Sequence, residues 1–314
     1  MSMVHKEEIV CPKCQAHGEF DIWESMNVDL NPELRDKVFS EDAFFYKCPE
    51  CGAEIAVPYD FVYHDMTHKF IIMFSFFEPE DFDYEPYELP LLSEAMKGYT
   101  YRHVNGIYEL KEKILILEKG LNDVAIEHMK YACTHYEYSI IAEHGNKLYF
   151  SDIKYDLPDL PKGGIVFYIN LGEDRSKKLA YPLNLYNHQC LACELDPRMK
   201  VEGCETVDEG WMALRLSGKG SDQKPFKVLH GKNDKGFYIV ANTKRGSKGN
   251  SKVKYAEGIA HDSGDILFPM IFDNITWNED GEIAFARLEG KPYILTLFGG
   301  IFDPEKAKKE MEND

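Results

Sequence analysis

Cys11-Pro12-Lys13-Cys14 and Cys48-Pro49-Glu50-Cys51-Gly52 are two C-P-x-C hairpins separated by 33 residues, and their reading decides the fold of the amino-terminal region. Two residues between cysteines let one tight turn aim both sulfurs at a single ion. The proline presets φ for that turn, and Gly52 can take the positive φ that points backbone N–H groups at sulfur. Four thiolates form a tetrahedron of soft donors, the set that zinc accepts. Cys11, Cys14, Cys48 and Cys51 are therefore read as ligands of one zinc ion. With cysteine at every position there is no place for a substrate water, so the ion is structural. Its binding energy is expected to stand in for a hydrophobic core across residues 1–77. The alternative, buried or redox-active thiols, fits a duplicated C-P-x-C poorly. The first hairpin has Gln15 where the second has Gly52, which predicts a looser knuckle or a different turn.

Working outward, Glu8 to Val10 reads as a strand delivering Cys11, and the aromatic-rich stretch Phe20 to Val28 as a second strand. Asn31-Pro32-Glu33 is a helix start, with an N-cap, a first-turn proline and an acid against the dipole, so a short helix is expected over Pro32 to Phe39. Strands follow at Phe44 to Lys47, Glu54 to Val57, Phe61 to Tyr63 and Lys69 to Phe76. The result is a zinc-ribbon-like sheet with a helical insert. His64 and His68 lie four apart in a strand-and-turn context and are read as turn histidines rather than ligands.

Cys11-Pro12-Lys13-Cys14, Trp23-Glu24-Ser25-Met26-Asn27, Pro32-Glu33-Leu34, Cys48-Pro49-Glu50-Cys51-Gly52, Tyr63-His64-Asp65 and Lys69-Phe70 together resemble the CpXC domain, from about Ile9 to Phe74. Glu109-Leu110-Lys111-Glu112-Lys113-Ile114 and Gly120-Leu121-Asn122-Asp123 are similar to the segment that often follows it in bacterial proteins. The resemblance implies a prokaryotic, intracellular, zinc-binding protein without an assigned biochemical role, and it supplies no catalytic residues.

A length of 314 residues allows two or three domains. The formal charge of −18 disfavours a general binder of nucleic acid or anionic membrane, since either would repel the chain as a whole. The polar start of the chain carries no secretory signal, and the apolar run Phe70 to Phe77 is too short to span a bilayer. A thiolate zinc site suits a reducing compartment, so a cytoplasmic location is expected.

The expected class is α+β: an N-terminal zinc-ribbon-like β module (1–77), an acidic aromatic linker (78–98), an α+β middle domain (99–204), a β-rich region (205–303) and a charged tail (304–314). Ile107, Leu110, Ile114 and Leu117 recur at helical spacing before Gly120. A second helix capped by Asn122 is expected to run to about His135 and to pack on the first as a hairpin. Strands are expected at Tyr138 to Ala142, Lys147 to Ile153 and Gly164 to Leu171, then a helix over Leu183 to Leu195. His188, Cys190, Cys193 and Cys204 offer four soft donors, a second thiol site for zinc or redox chemistry, although plain buried thiols are the preferred reading. In the β-rich region, Gly264 to Ile294 resembles one WG-type repeat, with a degenerate copy at Glu209 to Arg215 joined to Lys235 to Ile239, each read as strand, turn and returning strand. The basic loop 227–254 reads as a solvated hairpin, with Lys244, Arg245 and Lys248 as the candidate anion-binding residues.

No Walker loop, dinucleotide fingerprint or nucleophile elbow is present. The leading functional reading is a non-enzymatic zinc-binding interaction protein with a protein partner. The alternatives are a nucleic-acid-associated factor using the basic loop, or a hydrolase or redox enzyme with its site in the middle domain.

Overall fold

The computed structural model describes residues 1–77, 96–137, 146–170, 176–217, 227–243 and 255–313. The chain is α+β and divides into two compact units. The first comprises Met1–Asp123 with Val201–Val207, the second Val124–Lys200 with Asp208–Asp314.

The first unit is built on a five-stranded sheet of order β1-β2-β5-β6-β7. β1 (Met3–Val10) and β2 (His17–Asn27) form a long antiparallel hairpin, and only the end of β2 continues into the sheet, pairing Ser25 to Asn27 in parallel with β5 (Phe61–Asp65). β6 (Phe70–Ser75) returns antiparallel to β5, and β7 (Thr100–Asn105) lies parallel to β6. β3 (Phe45–Lys47) and β4 (Glu54–Ala56) form a separate small hairpin. β6 is buried at every residue, as a strand covered on both faces must be.

α1 (Glu33–Ser40) turns Leu34 and Val38 inward, and α2 (Ile107–Glu118) adds Leu110, Ile114 and Leu117 to the same core of Met26, Phe44, Phe61, Tyr63, Phe70, Ile72 and Phe74. The helical periodicity expected for α2 is therefore the stripe that meets the sheet. Asn31 does not cap α1 with its side chain. Its carbonyl accepts from Leu34 N (3.1 Å) while its amide donates to Glu33 (3.2 Å). A bidentate Arg35–Glu118 pair (2.6 and 2.7 Å) ties α1 to α2. Segment 201–207 is stitched on by buried polar groups: His103 N donates to Glu205 O (3.3 Å), His103 Nδ1 meets Thr206 Oγ1 (2.9 Å), and Lys113 Nζ donates to Val207 O (2.9 Å). The same Lys113 and the guanidinium of Arg102 both hold the buried Asp123 carboxylate. Burial works against that charge, but the two cations hold the carboxyl well below its usual range.

These units differ from the sequence-based boundaries at 77, 98 and 204. β7 and α2, assigned to a middle domain, share sheet and core with the ribbon module. The two helices expected to form a hairpin fall in different units, because from Val124 onward α3 (Asp123–Ala132) belongs to the second.

In the second unit α3 runs into a π-helical turn, Cys133–Glu137. An antiparallel sheet of order β10-β9-β8 follows, from β8 (Leu148–Lys154), β9 (Gly164–Asn170) and β10 (Ser176–Pro182). α4 occupies Leu183–Leu195 as expected. Glu209–Leu216 is helix α5, with the Asp208 carboxylate accepting from Trp211 N (2.8 Å), so the degenerate copy proposed there does not begin with a strand. Two antiparallel meanders come next. The first holds β11 (Lys227–His230), β12 (Phe237–Thr243), β13 (Tyr255–His261) and β14 (Ile266–Phe272); the second holds β15 (Asn274–Trp277), β16 (Ile283–Leu288), β17 (Lys291–Thr296) and β18 (Ile301–Phe302). α6 (Pro304–Asn313) closes the described chain. Asn233 and Asn278 each anchor a turn with a positive-φ glycine: the Asn233 side-chain oxygen accepts from Lys235 N and Phe237 N, on either side of Gly236, and that of Asn278 from Glu282 N and Ile283 N, just after Gly281. The acidic run 78–95, the strand expected over Tyr138 to Ala142 and the loop 244–254 lie outside the described residues.

Candidate metal centre

The two knuckles share one hydrogen-bond pattern. In the first, Cys11 N donates to Ala16 O (2.9 Å) and Gln15 N to Cys11 O (2.8 Å); in the second, Cys48 N donates to Ala53 O and Gly52 N to Cys48 O, both at 2.8 Å. Gln15 has φ 60° and Gly52 φ 68°, so the knuckle without glycine is not looser. It takes the same turn, with a side chain in the left-handed region. Gln15 Nε2 donates back to Pro12 O at 3.4 Å.

Strand pairing delivers the knuckles to each other. The first caps the β1–β2 hairpin beyond the Val10–His17 pair, and the second caps β3–β4 beyond Lys47–Glu54. Cys11 Sγ lies 3.6 Å from Cys51 Sγ and Cys14 Sγ 3.6 Å from Cys48 Sγ, with all four sulfurs within 4.8 Å of one another. A tetrahedral ion with metal–sulfur bonds of about 2.3 Å spaces its sulfurs about 3.8 Å apart. The donor set fits such an ion, and the two 3.6 Å pairs lie close to its spacing.

Cys11 and Cys48 are buried, Cys51 half-buried and Cys14 exposed. Beneath them Tyr46 and Val57 pack with Ile9, Phe20, Ile22 and Ile55, and the Phe20 ring meets Tyr46 edge-on at 6.4 Å. Gly18 makes room for this, since a Cβ there would collide with the Tyr46 phenol. The sequence signal for this contact is a glycine inside a strand, which marks close approach of another group.

Four thiols this close do not share charge evenly. The Cys14 backbone N–H, helped by that of Lys13, pulls the Cys11 thiol down to about 6 against desolvation. At Cys14 the Ala16 N–H acts in the same sense, but the neighbouring sulfurs and burial outweigh it and push that thiol up to about 12. A divalent cation held by these four thiolates would remove the conflict by replacing their protons.

A family model described as CpXC protein matches residues 9–130. Over residues 9–130 the chain is similar to the CpXC family. No curated protein and no solved structure matches the chain. The matched span takes in both knuckles, the sheet core and α2, and it ends within α3.

The other candidates lie elsewhere. Among the described residues, the four knuckle cysteines are the one group of three or more His, Cys, Asp or Glu side chains close enough to share an ion. His188, Cys190 and Cys193 sit on α4 in the second unit, where burial lowers the His188 pKa and raises that of Cys190. Cys204 belongs to the first unit, buried with Ile71, Met73 and Tyr101, and burial pushes its thiol up to about 12. Lys244, Arg245 and Lys248 lie outside the described residues. Of the basic residues before them, Lys232 pairs with Asp262 (2.7 Å) and Lys235 with Glu282 (3.2 Å).

Proposed function

We propose that the chain is a cytoplasmic bacterial zinc protein whose ion is structural and which acts as an interaction protein rather than an enzyme. The closed set of four thiols carries this reading. Two knuckles of one geometry supply every ligand, so a zinc ion held there has no open position for substrate and serves to lock the two hairpin ends together. The second unit supports the interaction role with two four-stranded meanders whose connecting loops could carry a partner. Among the described residues no helix is long and apolar enough to cross a membrane, and the charge of −18 favours a protein partner over nucleic acid.

The test is elemental analysis of the native chain together with affinity capture from its own cytoplasm. The expected result is one zinc per chain and a protein captured in constant ratio, unaffected by nuclease. Absence of bound zinc overturns the metal reading. Loss of the captured partner on nuclease treatment, or binding of RNA or DNA that falls steeply with salt, overturns the protein-partner reading.

A further inference from the structure

Among the described residues β1 is an edge strand, pairing with β2 alone, and every residue in it is exposed except the half-buried Ile9. Side chains alternate across it, and its neighbours identify the faces. Ile9 packs with Phe20 and Ile22 in the cluster under the knuckles, and Phe20 and Ile22 stand opposite Glu7 and His5. The odd-numbered residues therefore face the metal side, and Val4, Lys6, Glu8 and Val10 form the outer face. Val4 and Val10 keep 47% and 46% of their surface exposed, two β-branched residues bracketing two opposite charges.

Two copies of one edge strand can join antiparallel about a twofold axis normal to the sheet only if residues of equal parity stand opposite each other. Centred on Glu7, the register sets Val4 against Val10 and Lys6 against Glu8 of the second copy, each pair occurring twice. The outer face, Val-Lys-Glu-Val, then meets its own reversal, apolar on apolar and cation on anion. Centring on Lys6 would oppose Val4 to Glu8 and Lys6 to itself, and centring on Glu8 would oppose Lys6 to Val10 and Glu8 to itself. Only the Glu7 register is self-complementary on this face. On the metal side it places Glu7 against its own copy, with the two His5 rings diagonal to the pair. Lys6 already contacts Glu19 of β2 at 2.8 Å, so the second copy's Glu8 would be its second carboxylate.

We propose that β1 is a homodimerisation edge, joining two five-stranded sheets antiparallel about Glu7 with a second copy of this chain as its partner. Val10 leads directly into Cys11, so the two metal centres fall at opposite ends of the junction. The two Val10 residues stand about 20 Å apart along the strand.

Light scattering of the zinc-loaded full chain over a concentration series is expected to show a dimer. Lys6→Glu sets like charges across both pairs and is expected to raise the dissociation constant about tenfold. Combining Lys6→Glu with Glu8→Lys reverses each pair and is expected to restore dimerisation, which separates a lost interface from a misfolded chain. Glu7→Cys places two thiols at the axis, within the Cα separation of about 5–6 Å that a disulfide needs, and is expected to cross-link under mild oxidation; Val10→Cys is not. A monomer at every concentration overturns the proposal. So does a dimer indifferent to Lys6→Glu, a double variant that stays monomeric, or equal cross-linking through Glu7→Cys and Val10→Cys.

Discussion

The metal ribbon and the sheet core beside it belong to one compact unit but are held together by different means. Around the knuckles only Cys11, Tyr46, Cys48 and Val57 form the buried cluster, and two of those four belong to the candidate metal centre. The sheet core buries fourteen residues, from Met26 to Leu117, with Phe44, Phe61 and Phe74 packed ring to ring at 5.0–6.1 Å. The expectation that an ion substitutes for a core across residues 1–77 is therefore too broad. It narrows to the two hairpin ends, where two short elements meet over little buried apolar surface. The sheet core, from Met26 onward, has its own apolar cluster.

Metal removal is the strongest way to break that comparison. Chelation, or Cys11→Ser with Cys48→Ser, is expected to cost the ribbon on the order of 10 kcal/mol, more than its small cluster can supply. Hydrogen exchange should lose protection at the amides of Gln15, Cys48 and Gly52 while β5 and β6 keep theirs. The converse variant is Phe74→Ala, expected to cost about 3–5 kcal/mol of global stability while the chain still binds its metal in full ratio. If β5 and β6 exchange as fast as the knuckles once the metal is gone, the two regions are one cooperative body and the contrast fails.

A smaller effect sharpens the comparison from the core side, through pH. His103 is buried, its two ring nitrogens meeting Thr206 Oγ1 (2.9 Å) and Ser75 Oγ (3.0 Å), and burial lowers its pKa from 6.5 to about 4. The unfolded chain therefore takes up the proton first. The stability this group contributes is complete above 6.5 and is lost as the pH falls toward 4. His103→Gln keeps a hydrogen-bonding group without titrating. Between pH 6.5 and 4 the parent should lose about 1–2 kcal/mol more than this variant in denaturant titrations. Equal slopes would mean that the ring is protonated in the folded core.

What could be read from the sequence follows the range of the forces involved. The four-cysteine cluster, α2 and α4 were legible because spacing and periodicity are local: two residues between thiols, an apolar residue every three or four. The joining of β7 to the ribbon's sheet was not, since the parallel pairing of β6 with β7 spans a 24-residue connection and leaves no mark on either strand. Nor was the return of segment 201–207, which rests on His103 and Lys113 meeting backbone and hydroxyl groups about 100 positions away. At Glu209 to Arg215 the sequence misled. Its Trp and glycine suggested a repeat strand, whereas Asp208 caps a helix that turns Trp211 and Met212 inward.

The smallest expected effect lies within the ribbon, between two knuckles of one backbone and different residues. Gly52 takes φ 68° without a steric cost, whereas Gln15 holds φ 60° against one of about 1 kcal/mol. Gly52→Gln is expected to impose that cost on the second knuckle and weaken metal holding about fivefold in competition with a chelator. Gln15→Gly removes the strain but gives back part of the gain through the freer unfolded chain, so its improvement should be under about 1 kcal/mol. The two changes should therefore be opposite in sign and unequal in size. If Gln15→Gly instead weakens metal holding, the bond from Gln15 Nε2 to Pro12 O outweighs the backbone strain, and the first knuckle depends on a side chain where the second depends on glycine.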